Sequence, residues 1–502
     1  MRNLIVCCDG TWNDPKNKDG GVPAPTNVRK LFEAVDLESP DPVQLTRYQS
    51  GVGTGGLLDK ALGGVLGFGL GEDIRDCYQW LSDKYQAGDN IFIFGFSRGA
   101  FSARSLAGMI CKFGLVDFNH STFKRRDDLI KHIYQDAFIE NKPLNRKIAF
   151  MEASNRVAFV GVWDTVGALG IPDDKAFLNI FDRKKKHRFP DVSLSPNVSQ
   201  ARHAVALNEA RGSFTPTLWD TERDDASIKQ IWFPGVHSDI GGGYRETGLS
   251  DITLHWMIRE AADNYPGFDG IRFKEGMVEQ IGGNPGGMLH DSYTGAMKVL
   301  HTVPRSIPDL VKDQQQLDSS VTQRRNNPPI QQGAYLPVKT FRNGTIEIDI
   351  YAKHQWYWTG IYLEAGKTYE FSAAGEWMDA SIPAGPEGAA NGEFRVGKAA
   401  HLVGSLFGKL EQGWNKVTHN KQGDFYFSRR VESAPWFALI GAIANGGNPN
   451  PDGTAQLPTQ FYIGKHYKLE VKQSGYLYCF ANDAWNYYGN NRGYVSLTVK
   501  ES

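Results

Sequence analysis

The chain has 502 residues, a formal net charge of −1 and 55 glycines. That length favours two domains, and the near-zero charge gives no reason to expect a nucleic-acid partner. No apolar run is long enough to cross a bilayer, and the short apolar start is typical of a strand and not of a secretory signal. We therefore expect synthesis in the cytoplasm, with any delivery outside the cell by a signal-independent secretion system.

The first predicted strand, Leu4–Cys8, is followed by a turn at residues 9–13 that reads DGTWN. A turn at the edge of a sheet presents backbone N–H groups that can bind a developing oxyanion, and Gly10 and Thr11 are the candidate donors. A plain Asx turn explains the same residues equally well.

Residues 61–71 read ALGGVLGFGLG and precede a predicted helix that begins near Glu72. An apolar, glycine-rich segment can line a pocket for an acyl chain or form a mobile flap over a site. Close packing of the backbone in the core accounts for the same composition.

The most informative segment spans residues 91–110 and reads IFIFGFSRGAFSARSLAGMI. Ile91–Phe94 predicts a short buried strand, and the residues after Ser97 show small and apolar side chains at helical spacing. The turn between them has the pattern G-x-S-x-G, which is the nucleophile elbow of α/β-hydrolases. Ser97 is therefore the candidate nucleophile, and the backbone N–H of Arg98 is a candidate oxyanion donor. The alternative is a tight turn in which Ser97 only caps the helix.

A serine needs a base to take its proton, and in this fold the chain order is serine, acid, histidine. Residues 157–170 read VAFVGVWDTVGALG and residues 231–244 read IWFPGVHSDIGGGY. Each apolar run ends in one partner at the edge where α/β sheets carry their sites, so His237 is the candidate base and Asp164 orients it. Asp239 is the competing acid. Without catalysis, Asp164 would cap a helix and Asp239 would hold the glycine loop.

Two segments are expected to form caps inserted between core strands, near residues 117–150 and 172–200. Within the second cap, residues 177–189 read FLNIFDRKKKHRF, so apolar side chains lie beside a basic cluster. That combination suits binding to an anionic membrane surface, and a solvated charged loop is the alternative.

Five motifs resemble one known family. They are, in order, CDGTWN at 8–13, GVGTGG at 51–56, YQAGDNIFIFGFSRGAFSARSLAGMI at 85–110, VGVWDTVGALG at 160–170 and FPGVHSDIGGGY at 233–244. Together they resemble the uncharacterised bacterial hydrolases that include the phospholipase effectors of type VI secretion. A further likeness at 317–337 extends the match over about residues 1–337.

This resemblance implies a triad of Ser97, Asp164 and His237 that hydrolyses phospholipid ester bonds without a metal or organic cofactor. It implies a phospholipid or membrane surface as the substrate. It also implies a secretion machinery and an immunity protein as partners.

From about residue 340 onward the helical periodicity disappears, and segments that alternate apolar and polar residues follow one another, such as TIEIDIYA, TYEFSAAGEW, YKLEVKQS and YVSLTVKES. Such alternation predicts half-buried strands of a β-sandwich over residues 340–502. The predicted fold class of the whole chain is α/β. An α/β-hydrolase domain over residues 1–337, with a mainly parallel sheet flanked by helices, precedes an all-β sandwich.

The last loop of the sandwich brings hard oxygen donors together. Asp483, Asn490 and Asn491 lie within the segment CFANDAWNYYGNNRG, and a backbone carbonyl near Tyr487 can add another donor. Calcium takes about six to eight oxygen ligands of these types. A turn that is stabilised by its own Asx side chains is the alternative.

The spacing in this loop resembles the calcium-dependent galactophilic lectins of bacteria. The segments AAGEWMD at 373–379 and GPEG at 385–388 resemble the earlier loop of that family, which makes Asp379 a further candidate ligand. The resemblance implies a calcium ion that holds a carbohydrate ligand. A long insertion at about 390–432 departs from the lectin pattern.

The leading functional hypothesis is a serine esterase or lipase that cleaves phospholipid acyl bonds as a secreted antibacterial effector, with the lectin-like domain for targeting. One alternative is an esterase that removes acyl groups from a polysaccharide. A second alternative is a carbohydrate-binding protein whose hydrolase half is an inactive scaffold.

Overall fold

The structure, a computed structural model, describes residues 1–10, 18–51, 66–121, 125–144, 148–167, 194–220, 227–389, 429–450, 453–485 and 487–502. The chain divides into two compact units. The first unit comprises residues 1–305, 314–335 and 448–456, and the second comprises residues 306–313, 336–447 and 457–502.

The first unit is built on a parallel sheet. Its described residues form the strands β1 (Arg2–Cys8), β2 (Lys18–Asp19), β3 (Val22–Pro23), β4 (Val43–Gln49), β5 (Asn90–Phe96), β6 (Val157–Trp163), β7 (Val198–Ala206) and β8 (Ile228–Phe233). Within this described part, six strands pair in parallel in the order β4-β1-β5-β6-β7-β8, and β2 and β3 form a small antiparallel ribbon. The chain leaves β1 first to β4 on one side and then to β5 on the other. The carboxyl ends of β1 and β5 therefore flank the point where the winding reverses, which is where open α/β sheets bind their ligands.

Helices cover both faces of this sheet. They are α1 (Asn27–Ala34), α2 (Leu66–Lys84), α3 (Arg98–Phe113), α4 (Arg126–Lys131), α5 (His237–Gly241), α6 (Gly248–Ala262), α7 (Glu275–Val278) and α8 (Ser319–Asn326), with a π-helical segment at His132–Ile139 and 3-10 turns at Gly212–Phe214, Gly295–Val299 and Gln314–Gln316. None of the helices in the described ranges combines the length and the apolar character needed to span a membrane.

Successive side chains of the central strands point to opposite faces of the sheet, so they pack into two separate cores. Ile91 and Ile93 of β5 belong to one core cluster with side chains of α2 and α3, whereas Phe92 and Phe94 belong to another with side chains of α1 and α6. Every residue of β5 is buried. Burial on both faces is why this strand reads as an uninterrupted apolar run rather than as an alternating one.

The second unit is antiparallel. Its described strands are β9 (Thr345–Tyr351), β10 (Tyr357–Leu363), β11 (Thr368–Asp379), β12 (Ile382–Ala384), β13 (Leu439–Ala444), β14 (Thr459–Tyr462), β15 (His466–Glu470), β16 (Gly475–Ala481) and β17 (Asn491–Glu501), with a 3-10 turn at Tyr488–Asn490. One sheet has the order β10-β16-β13-β14, and the other has the order β12-β11-β17-β9, with β15 also paired to β11. Their inner faces share one apolar core that includes Trp377, Phe437 and Leu477.

The predicted fold class is confirmed: a mainly parallel sheet flanked by helices precedes antiparallel sheets in the last part of the chain. Several predicted segments lie outside the described residues, namely Thr11, the basic segment at 177–189, most of the cap near 172–200 and nearly all of the insertion at 390–432. The predicted flap at 61–71 is described only from Leu66, where helix α2 begins. Residues of the other cap, near 117–150, form α4 and the π-helical segment and contribute to the core cluster against α2 and α3.

Candidate active site and metal site

Ser97 occupies a strained turn between β5 and α3. Its backbone has φ +58° and ψ −122°, a conformation that is costly for a residue with a side chain. A Cβ atom at Gly95 would lie 2.4 Å from the carbonyl oxygen of Gly99, and one at Gly99 would lie 2.3 Å from the carbonyl oxygen of Cys8. Glycine at both positions is therefore required for strand, helix and the end of β1 to approach. This geometry presents Ser97 at the N-terminus of a 16-residue helix.

Asp164 and His237 meet beside this turn. Asp164 follows β6, and its Oδ2 lies 2.6 Å from Nδ1 of His237, the first residue of α5. The Ser97 amide donates to the carbonyl oxygen of Trp163, so the nucleophile turn is bonded to the residue that precedes Asp164. The ring of Phe96, the neighbour of Ser97, is 4.6 Å from the imidazole centre. The structure thus brings the three predicted triad residues to the carboxyl ends of β5, β6 and β8 of one sheet, while their catalytic roles stay a prediction.

The carboxylate of Asp164 also binds partners other than His237. Arg305 donates to both of its oxygens, from Nη1 to Oδ1 at 2.7 Å and from Nη2 to Oδ2 at 2.9 Å, and the Ala206 amide donates to Oδ1 at 3.0 Å. Burial alone would raise the pKa of Asp164, but the charges and hydrogen bonds of Arg305 and His237 outweigh burial and hold that pKa well below its usual range. Asp164 is therefore a fixed anion.

Burial lowers the pKa of the His237 imidazole below its ordinary value, against the opposing pull of Asp164. Only 4% of His237 is exposed. A neutral imidazole whose Nδ1–H is held by a carboxylate leaves Nε2 as an acceptor, which is the protonation state that a general base requires.

Two of the predicted oxyanion donors, the backbone amides of Gly10 and Arg98, lie in the described part of the chain. The amide of Gly10 donates to Oδ1 of its neighbour Asp9 at 2.7 Å, and Asp9 is also bonded by the hydroxyls of Thr26 and Tyr48. Gly10 is thus engaged in an Asx-type contact, the alternative interpretation of that turn, and its role as an oxyanion donor stays a prediction. Arg98 begins helix α3 directly after Ser97, as the elbow pattern predicts.

Asp239, the competing acid, is bonded elsewhere. Its Oδ1 lies 2.6 Å from Nδ1 of His290, and its Oδ2 accepts from the amides of Val236 and His290. Although burial opposes protonation of His290, the hydrogen bonds and charges of Asp239 and Glu246 raise its pKa. Asp239 therefore forms a second histidine–carboxylate pair close to the first and fastens the segment that follows β8.

A further acidic side chain, that of Glu209, binds the backbone amide of His237. The buried carboxylate of Glu209 accepts from the His237 amide at 3.3 Å, from the Ser292 hydroxyl at 3.0 Å and from the guanidinium of Arg211. Arg211 also stacks 3.6 Å over the ring of Phe214, whose edge meets the imidazole of His237. These contacts leave the ring of His237 little freedom to rotate.

In the second unit, the predicted calcium ligands converge at one end of two paired strands. Asp379 ends β11 and is the register partner of Asn491, the first residue of β17. The Asn490 amide donates to Oδ1 of Asp379 at 2.5 Å, and the Asn491 amide donates to Oδ2 of Asp483 at 3.0 Å. Tyr487 lies just before the 3-10 turn that leads into Asn491.

The donor set of this second site suits a hard cation. Burial raises the pKa of Asp483 to about 7, and the nearby carboxylate of Asp379 adds to this rise. Among the described residues, the buried Oδ1 of Asn491 has no hydrogen-bond partner, and the Nδ2 of the same side chain donates to Asp483. Two carboxylates that repel each other and an orphaned amide oxygen are the features that a calcium ion would relieve. No group of three or more His, Cys, Asp and Glu side chains in the described part of the chain is arranged to hold a metal, so any ion here depends on amide and carbonyl oxygens.

Residues 2–260, just over half of the chain, match the family model for the catalytic domain of Tle1-like phospholipase effectors of the type VI secretion system. The chain belongs to the Tle1-like family. The matched range contains Ser97, Asp164 and His237, whereas Arg305 and the second unit lie beyond it.

Individual relatives are more distant. The uncharacterized protein YEL023C of Saccharomyces cerevisiae is 30% identical over 243 residues, 42% of this chain and 32% of the yeast protein. An uncharacterized protein from Pseudomonas aeruginosa (18% identity, TM-score 0.32) covers 56% of this chain and 49% of its own. The Tle1 effector bound to the VgrG spike of the type 6 secretion system (21% identity, TM-score 0.31) covers 49% of this chain and 52% of its own. This Tle1-like chain thus spans about a third of the curated relative and about half of those two solved chains.

For the second unit, the N-terminal domain of EclA, a PllA-like lectin, covers 32% of this chain and 100% of its own length, at 18% identity and a TM-score of 0.20. At these values the solved structures do not by themselves carry an assignment, and membership of the Tle1-like family rests on the family model.

Two residues of the Tle1-like site, Arg305 and Glu209, were not predicted from the sequence. Arg305 lies 141 positions after Asp164 in a short, irregular stretch between elements, and Glu209 follows β7 without a motif around it. The only signal that marks them is their side-chain chemistry, which many surface residues share.

Proposed function

We propose that this Tle1-like protein is a serine esterase that hydrolyses acyl ester bonds of phospholipids. The observation that carries the proposal is the 2.6 Å contact between Asp164 and His237 beside the strained turn of Ser97. Membership of a phospholipase effector family supports a lipid ester as the substrate class.

The reaction follows from the roles that this arrangement favours. The Oγ of Ser97 attacks the ester carbonyl carbon while Nε2 of His237 takes the hydroxyl proton, and Asp164 stabilises the imidazolium that forms. The tetrahedral intermediate collapses, the ester C–O bond breaks, and the departing lysolipid alcohol takes the proton from His237. Water then attacks the acyl-enzyme with the same base, which releases the fatty acid and restores Ser97.

Delivery is proposed on the same family basis. One of the similar solved structures is that of the Tle1 effector bound to the VgrG spike of the type 6 secretion system. We expect this chain to leave the producing cell by that signal-independent machinery, to act on the membrane of a neighbouring cell, and to be neutralised in its own cell by an immunity protein.

The second unit is proposed to bind calcium and, through it, a carbohydrate. Asp379, Asp483, Asn490 and Asn491 would hold the ion together with a carbonyl oxygen near Tyr487. When bound, the ion would supply open coordination positions for sugar hydroxyls. Binding of a glycosylated or lipopolysaccharide-bearing surface would bring the esterase to its lipid substrate.

The test is mass spectrometry of the products that the full chain releases from mixed phospholipid vesicles. We expect lysophospholipid and free fatty acid, and a loss of about 10³-fold or more in Ser97→Ala. Ser102→Ala, which removes another buried hydroxyl of α3, is the matched control and should keep the parent rate.

Two results would contradict the proposal. Release of acyl groups from a soluble acylated polysaccharide, with intact vesicle lipids, would indicate a glycan esterase. An unchanged biological effect of Ser97→Ala would indicate a carbohydrate-binding protein on an inactive scaffold.

A further inference from the structure

We propose that Arg305 is a positioning residue of the esterase, which fixes Asp164 and sets the pH range over which His237 can act as a base. The inference rests on the proposed function for its kinetic consequences. The contacts that carry it belong entirely to the first unit.

The guanidinium of Arg305 forms a complete fork on Asp164. Its two Nη atoms donate to the two carboxylate oxygens, and the same atoms donate to the carbonyl oxygens of Ala206 at 2.8 Å and Phe214 at 2.6 Å. Only 3% of the Arg305 side chain is exposed, and Asp164 is fully buried. A planar guanidinium that is anchored at four points orients the carboxylate plane, which in turn orients the Nδ1–H of His237.

The charges explain why a cation at this place matters for the reaction. In the resting state, Asp164 and Arg305 cancel each other, the paired Glu209 and Arg211 beside His237 do the same, and His237 and Ser97 are neutral. When the tetrahedral intermediate forms, the positive imidazolium and the negative oxyanion also cancel. With Arg305 the buried site carries no net charge in either state, whereas without it both states would hold an uncompensated anion, which a low-dielectric interior disfavours.

Removal of the Arg305 charge would leave Asp164 as an unbalanced anion against the imidazole. An unbalanced anion favours the cationic form of His237, so the pKa of the imidazole would rise. A base with a higher pKa stays protonated to a higher pH, and the acidic limb of the pH profile would move upward. The charge of Arg305 thus keeps the His237 imidazole unprotonated, and able to act as a base, at a lower pH.

Two variants of the full chain separate the charge from the fork. Arg305→Gln removes the charge, and we expect the acidic limb of kcat/KM on p-nitrophenyl butyrate to move up by about one pH unit. Arg305→Lys keeps the charge without the fork, and we expect the parent's acidic limb with kcat reduced roughly tenfold or more. The matched control is Arg202→Gln, because Arg202 is another buried arginine on a carboxylate, that of Glu260, and within the described part of the chain none of its hydrogen bonds reaches Asp164 or His237.

A spectroscopic readout makes the result independent of turnover. The downfield proton resonance of the His237 Nδ1–H, identified by its loss in Asp164→Ala, titrates with the imidazole, and its midpoint should be higher in Arg305→Gln than in the parent. If the parent hydrolyses no ester, the proposed function fails while this titration still tests Arg305.

An unchanged titration of His237 and an unchanged acidic limb in Arg305→Gln overturn the proposal, as does an equal shift in Arg202→Gln. If Arg305→Gln does not fold, a kcat and resonance in Arg305→Lys identical to those of the parent overturn the positioning role.

Discussion

A single amide-for-acid substitution, Asp483→Asn, should stabilise the second unit in the absence of calcium and abolish its response to calcium. Asp483 is 3% exposed and accepts hydrogen bonds from the amides of Ala484 and Asn491. The introduced amide has the same shape. Because Oδ1 of Asn491 has no hydrogen-bond partner among the described residues, a rotation of that side chain provides an acceptor for the new N–H₂ group.

The magnitude follows from the pKa of Asp483, which burial and the nearby Asp379 raise to about 7 from 3.8. The folded state therefore holds its proton more tightly than the unfolded chain. The stability from this proton is fully present below pH 3.8 and is lost as the pH rises through 7. About three pKa units correspond to roughly 4 kcal/mol at pH 8, or a melting temperature higher by about 10 °C in Asp483→Asn. Calcium at a hundred times its Kd would return about 2.7 kcal/mol to the parent.

The assay is differential scanning calorimetry of the full chain at pH 5.5 and pH 8, each with EDTA and with calcium. We expect calcium to raise one transition of the parent at pH 8, and Asp483→Asn to raise the same transition without calcium. Asp349→Asn, which neutralises a half-buried carboxylate of β9 that accepts from the Ser496 hydroxyl, should leave that transition unchanged. A lower melting temperature for Asp483→Asn at pH 8 in EDTA would refute the buried-charge argument, and an undiminished calcium response would refute the metal site.

Three further outcomes are expected for the first unit. Asp164→Asn should lower kcat by about 10³-fold to 10⁴-fold and Asp239→Asn by much less, because Asp239 bonds His290; the reverse ranking in ester hydrolysis would make Asp239 the acid. Gly95→Ala should destabilise the first unit by about 1–3 kcal/mol or more, since its Cβ would lie 2.4 Å from the carbonyl oxygen of Gly99, and a denaturation midpoint equal to the parent's would contradict the elbow sterics. EDTA should leave the hydrolysis of a soluble ester intact, whereas a loss that calcium restores would place the metal in the active site.

The nucleophile turn at Ser97 could be predicted from the sequence because all the residues that specify it are neighbours in the chain. A buried strand, a glycine on each side of Ser97 and a helical repeat after it specify the elbow within about twenty residues, and the structure has β5 and α3 there. Asp164 and His237 could be predicted for a related reason. Parallel strands end at one edge of the sheet, so a polar residue that follows each apolar run is placed near the others.

The alternation of the second half is equally local, because a strand with one buried face repeats every two residues. That period predicted the sandwich, whereas the continuous apolar run of β5 predicted a strand that is covered on both faces. The register that sets Asp379 opposite Asn491 is a different matter. It joins segments more than a hundred positions apart, and only the resemblance to a lectin loop made Asp379 a candidate.

Composition, short-range periodicity and the order of strand-end motifs thus determined the two folds and the three triad candidates. The tertiary structure alone decided between Asp164 and Asp239 as the partner of His237, and it placed Arg305 on Asp164 from 141 positions away. The reason is physical. A turn or a strand is specified by contacts between neighbours, but the partner of a buried charge is selected by the low-dielectric interior from whatever the fold brings within reach, and that selection leaves no periodic trace in the chain.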